Sequence, residues 1–119
     1  MEKLITWVEI PTADFERAVK FYNSVFKIEL TPIDCGEHDE EMAIFPTGEG
    51  AIVRSPYAKP SENGVIVSFI VPDTIEDAIL RVEQDGGKVV IPKTKIEAEG
   101  RGYFALCMDS EGNKIGLYE

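Results

Sequence analysis

"TADFERAVKFYNSVF" (residues 12–26) places Phe15, Ala18, Val19 and Tyr22 at i, i+3, i+4 and i+7, the spacing of one buried helical face. Further along, "TIEDAILRVEQDGG" (residues 74–87) repeats those intervals with Ile75, Ala78, Ile79 and Val82. Thr74 and Asp77 suit an N-cap with a reciprocal acidic partner, and Gly86 with Gly87 stops the second helix. Each helix follows a β-prone run, "KLITWVEI" (3–10) and "GVIVSFIV" (64–71). The ends correspond as well: "AIFPTGEGAIVRS" (43–55) and "ALCMDSEGNKIGLYE" (105–119) each read as strand, tight turn containing Glu-Gly, then strand. Aligning Gly50 with Gly112 sets Arg54 opposite Gly116. The chain is a β-α-β-β-β module written twice, residues 1–55 and 64–119, joined by a Pro-, Ser- and Asn-containing linker at 56–63. A lone module would leave one face of its sheet bare. Two side by side predict a single α+β domain: a curved mixed sheet with helices on the convex side and a cleft on the concave side.

The totals narrow the function classes. A chain of 119 residues with 44% hydrophobic and 29% charged residues has an ordinary globular balance. No apolar run approaches the roughly 20 residues that cross a bilayer, and "MEKLITWVEI" lacks the features of a signal peptide. A cytoplasmic setting without membrane contact is the expectation. The formal charge of −10, with scattered basic residues, argues against nucleic acid and favours cationic ligands. Cys35 and Cys107 are far apart and outside any C-x-x-C motif, so both read as reduced thiols, with Cys107 a small core residue. The lone histidine, His38, lies in the acidic stretch "CGEHDEEM" and reads as part of a solvated loop. Gly116 is the anomaly, because glycine inside a strand forfeits packing and marks a bulge or a close approach.

Three stretches, "VEIPTADFERAVKFY", "DTIEDAILRVEQDGGKVV" and "IPKTKIEAEGRGYFALCMDSEGNKIGLYE", give a resemblance to the vicinal oxygen chelate superfamily of glyoxalase I, bleomycin resistance proteins and extradiol dioxygenases. The resemblance covers nearly the whole chain and implies the paired βαβββ fold. In metal-dependent members four side chains, usually His and Glu, chelate a divalent cation in the cleft. Carried over one by one, those positions fall on Trp7, on Ile66 (or Val67, if Pro72 marks a bulge), on Arg54 and on Gly116. None is a metal ligand, and Arg is a permanent cation. The resemblance therefore implies a scaffold that holds no metal cofactor, with Gly116 opening space on the cleft floor.

Strand alternation extends each cleft position to its i±2 neighbours. The expected lining is Trp7 and Glu9, Ile52 and Arg54, Ile66 and Ser68, and Lys114, Gly116 and Tyr118, with Val8, Ile10, Phe69, Val71, Ile115 and Leu117 behind it. Trp7 can stack on a planar or cationic ligand, and Arg54 can hold a carboxylate or phosphate in bidentate fashion. The competing reading pairs Glu9 with Arg54 to tie the modules together and uses Trp7 to fill space.

Three functions are compatible with this lining. One is a metal-free module binding a small organic ligand, as in the bleomycin resistance branch. Another is a metal-free lyase or isomerase with Glu9 as general base. The last is a glyoxalase-like or dioxygenase-like metalloenzyme using other ligands. The resemblance also implies a homodimer.

Overall fold

The computed structural model describes residues 3–34 and 39–119, so Cys35 and His38 lie outside the described residues. The order is β1 (Val8–Pro11), α1 (Phe15–Phe26), β2 (Thr31–Ile33), β3 (Glu41–Ile44), β4 (Gly50–Arg54), β5 (Val67–Ile70), α2 (Ile75–Gln84), β6 (Lys88–Lys95), β7 (Tyr103–Met108) and β8 (Lys114–Tyr118). Both helices begin at the side-chain caps their sequences favour: Asp14 accepts from the Arg17 amide at 3.1 Å and Thr74 from the Asp77 amide at 3.1 Å. Among the described residues no helix is long and apolar enough to cross a membrane.

The strands form two four-stranded mixed sheets, β1-β4-β3-β2 and β5-β8-β7-β6. In each, the first strand runs parallel to the last, and the remaining pairs are antiparallel. The α+β fold of two βαβββ modules is thus realised, with β1 and β5 each left as an edge. Alternation sends Ile10, Ala43 and Ile52 of one sheet, and Ala105, Cys107, Ile115 and Leu117 of the other, into one core with Phe21, Tyr22, Val25, Ile75, Ala78 and Val82 of the helices. Burial pushes the Cys107 thiol up to about 11, which keeps it protonated and suits a small core residue.

The β7–β8 turn ties the modules together. Asn113 Nδ2 donates to the Pro11 carbonyl at 2.8 Å, and the buried Tyr22 hydroxyl donates to Asp109 at 2.6 Å. Glu111 accepts from the Ala13 and Asp14 amides at 2.9 and 2.7 Å and from Arg17 Nε at 2.8 Å. A carboxylate of the second module thereby satisfies the exposed amides that open the first module's helix.

Candidate functional site

The seam between β1 and β5 holds two cavities, and Val8 and Val67 line both of them. One, of about 200 Å³, runs along all of β1 to Asn113, Lys114 and Ile115, and linker residues Lys59 and Ser61, with Gly64 and Val65 just after them, complete its lining. The other, of about 420 Å³, runs along all of β5 to Pro46, Thr47, Glu49 and Gly50 of the β3–β4 turn. These are counterparts under the internal repeat: each takes one inner strand from its own module and the closing turn of the other. The smaller is narrowed by the linker, whose Ser61 amide donates to Asn113 Oδ1 at 3.1 Å. No such segment lines the larger.

The larger cavity is walled by Phe26, Ile28, Phe45, Val67 and Phe69, with Ile70 also in its lining and 79% exposed. Its polar residues are few: Ser68, and Thr47 hydrogen-bonded to the Glu49 carboxylate. An apolar hollow of this size with a few convergent polar groups is the usual form of a small-molecule site.

The residues picked out from the sequence do not gather in one place. Ser68 lines the larger cavity, while Glu9 and Lys114 line the smaller. Trp7 is 39% exposed and lines neither, and its indole N–H donates to the Glu9 carboxylate at 3.0 Å. Ile66 is exposed, and Tyr118 is half-buried opposite Phe104. Gly116 faces Ser68 across the parallel β5–β8 pair, and a Cβ added there would collide with the Ser68 hydroxyl. The gap left by the glycine is therefore filled by a neighbouring side chain.

Two other expected lining residues line neither seam cavity. Ile52 is fully buried in the core, and Arg54 pairs with Glu41 at 2.5 Å and with Asp39 at 3.3 Å, not with Glu9. The cause is a turn one residue longer in the first module. Phe45 N–H closes on the Gly50 carbonyl, whereas Asp109 N–H closes on the Asn113 carbonyl; Gly48 and Gly112 take the left-handed position in each turn, at φ 81° and 93°. Gly50 thus matches Asn113, not Gly112, and a one-residue slip exchanges the two faces of a strand. Val53 stands where Arg54 was expected, and the face of Glu9 carries Ala51 and Val53.

The implied divalent cation can be tested on this donor set. Trp7, Ile66 or Val67, Val53 and Gly116 supply no carboxylate, imidazole or thiolate. Among the described residues no three His, Cys, Asp or Glu side chains converge as an ion would require. These residues do not fit the metal, and no chemistry here is routed through one.

Sequence reading missed Phe26, Phe45 and the β3–β4 turn as cavity walls, because apolar residues there are indistinguishable from core. The repeat held a signal: the second module's counterpart of Glu49 and Gly50 is the turn that packs on β1.

A family model described as the Glyoxalase/Bleomycin resistance protein/Dioxygenase superfamily matches residues 4–117. The CFP32 proteins of Mycobacterium bovis and Mycobacterium tuberculosis, provisionally named glyoxylases, are 28% identical over 118 residues. That alignment takes 95% of this chain and 44% of theirs, so the chain spans under half the length of these curated relatives. Among solved structures, glyoxalase I from Zea mays superposes with a TM-score of 0.69 at 20% identity, covering 96% of this chain and 45% of that one. A glyoxalase/bleomycin resistance protein from Albidiferax ferrireducens gives 0.68 at 19% identity, covering 97% of both chains. At such identities these two likenesses speak for the fold alone. With the family model spanning nearly every element of both modules, the chain belongs to the glyoxalase/bleomycin resistance/dioxygenase superfamily.

Proposed function

We propose that this domain binds a small planar organic molecule, with a cationic or hydrogen-bond-donating end, in the larger seam cavity. The observation that carries the reading is the apolar hollow of about 420 Å³ walled by Phe26, Phe45 and Phe69, with Glu49 and Ser68 in its lining. Aromatic walls favour a flat guest, a carboxylate favours a positive end, and the net charge of −10 adds long-range attraction for a cation. Calorimetric and NMR titration with a panel of planar aromatic amines tests it. Ile70→Arg, at an exposed lining position, is expected to weaken binding at least tenfold by blocking and repelling the guest, without unfolding the protein. Equal affinity in wild type and variant sinks the proposal.

A second reading rests on the smaller cavity, where the Glu9 carboxylate lies with Lys59 and Lys114. Glu9 there has the position of a general base for proton transfer, as in a metal-free lyase or isomerase acting on a small anionic substrate. Turnover of a bound compound, abolished by Glu9→Gln, is its signature. Glu9, Trp7 and Lys114 belong to this second reading.

We also infer a homodimer, supported by the exposed apolar side chains Leu4, Ile5, Val65 and Ile66. Light scattering on the purified chain is expected to give twice the monomer mass of 13.2 kDa. A monomer at high micromolar concentration removes that part of the proposal.

A further inference from the structure

Each sheet ends in two edge strands, β1 and β2 in one, β5 and β6 in the other. An edge presents unpaired N–H and C=O groups to any extended chain, and proline is a common guard against that. Three of the four edges carry one: Pro11 in β1, Pro32 in β2 and Pro92 in β6. Two register shifts also interrupt β6. By contrast β5, with the sequence VSFI, has no proline, no charged residue and an unbroken register on β8.

The hydrogen bonds fix which groups of β5 are free. Val71 N–H donates to the Tyr118 carbonyl at 3.0 Å, and backbone groups alternate between the two edges of a strand. Val67, Phe69 and Val71 therefore face β8, while the N–H and C=O of Ser68 and Ile70 point away from the sheet. No hydrogen bond takes up these four groups among the described residues. Both residues are exposed, and both line the larger seam cavity, to which all of β5 and no residue of β8 contributes. The counterpart edge on β1 is closed. Val8 and Thr12 N–H donate across to the Glu49 and Val53 carbonyls at 3.0 and 2.7 Å, so Glu9 and Pro11 face outward. There Pro11 has no N–H, and its carbonyl accepts from Asn113 Nδ2 at 2.8 Å.

We propose that the open edge of β5 takes up a short basic peptide as an added strand, with Ser68 and Ile70 as its main-chain partners. An aromatic side chain of the peptide enters the hollow walled by Phe26, Phe45 and Phe69, and a Lys or Arg two residues away meets Glu49. Glu49 is exposed and makes no ion pair among the described residues. A second copy of this chain is the poorer occupant, because it brings another net charge of −10. The inference rests on the reading of the hollow as a site for a planar group, and adds that the group arrives on an amide backbone.

The test uses the full chain and the peptide acetyl-Lys-Thr-Phe-Thr-Lys-amide, whose lysines share a face with the phenylalanine in an extended strand. In the free protein, the Ser68 and Ile70 amides are expected to exchange hydrogen much faster than those of Phe69 and Val71. Saturating peptide should slow both at least tenfold. Two further peptides, N-methylated at both threonines or at the phenylalanine, keep every side chain and charge but block one edge each. One of them is expected to bind at least tenfold more weakly, and the other as the parent does. Equal affinity of all three peptides overturns the proposal, since side chains and charge then account for binding. Slow exchange at Ser68 and Ile70 in the free protein also overturns it, because a second copy or another segment already pairs with the edge. Aromatic amines report on the hollow alone: if they bind and the peptide does not, this inference falls and the reading of the hollow stands. Failure of the amines removes the reading itself.

Discussion

Ser68 occupies the space beside Gly116, and the pair forms a cross-strand contact with no room for a second side chain. Gly116→Ala is therefore an overpacking change rather than a neutral one. It is expected to destabilise the fold by about 1–3 kcal/mol in urea unfolding. Adding Ser68→Gly should return most of that loss, because the colliding hydroxyl and Cβ both go. If the double variant is no more stable than the single, the backbone and not Ser68 is what excludes a side chain there. This residue was legible in the sequence as an anomaly, but its reason was not. The resemblance read the missing side chain as vacant cleft floor; register shows that a neighbour 48 positions earlier fills it (Ser68 to Gly116).

The β7–β8 turn does more than reverse the chain, since Glu111 accepts from the Ala13 and Asp14 amides just before α1 and from Arg17 in its first turn. Burial pushes the Glu111 carboxyl up, but hydrogen bonds from Arg17, the Asp14 amide, Ser110 and the Ala13 amide outweigh it and bring the group down to about 2, from an ordinary 4.5. A lowered carboxyl stabilises the fold fully above its ordinary value and loses that contribution as pH falls. Wild-type stability should therefore decline between about pH 4.5 and 2 through this group. Glu111→Gln is expected to cost about 1.5–3 kcal/mol at neutral pH and to flatten that acid slope. Thermal melts across the range check it, and parallel slopes for wild type and variant refute the assignment. Both helices, their apolar faces and the Thr74 cap were readable from periodicity, as was the kinship of the two Glu-Gly turns. Which turn carried the extra residue was not. Its effect appears only once the Phe45 and Asp109 amides are seen to close on different carbonyls, and it removed Ile52 and Arg54 from the expected lining.

The two sheets share no backbone ladder, yet both bury their inner faces in one core with both helices. Neither module keeps that core when the other leaves. Unfolding is expected to be a single transition, with near- and far-ultraviolet circular dichroism coincident in denaturant. Separate transitions would show two independent units and weaken the seam as a ligand site. The seam belongs to the whole molecule: each of its cavities draws on both modules, with Val8 and Val67 in both linings, and they differ in that linker residues line only one of them.

The sequence alone determined the duplicated β-α-β-β-β plan and the apolar faces of both helices. These follow from residue identity and local periodicity, which a linear reading samples directly. Tertiary structure decided which face each residue of β4 presents, where the hollow lies and which side chains meet across it. Those depend on a one-residue difference between two turns and on contacts between modules distant in sequence, and no local pattern records either.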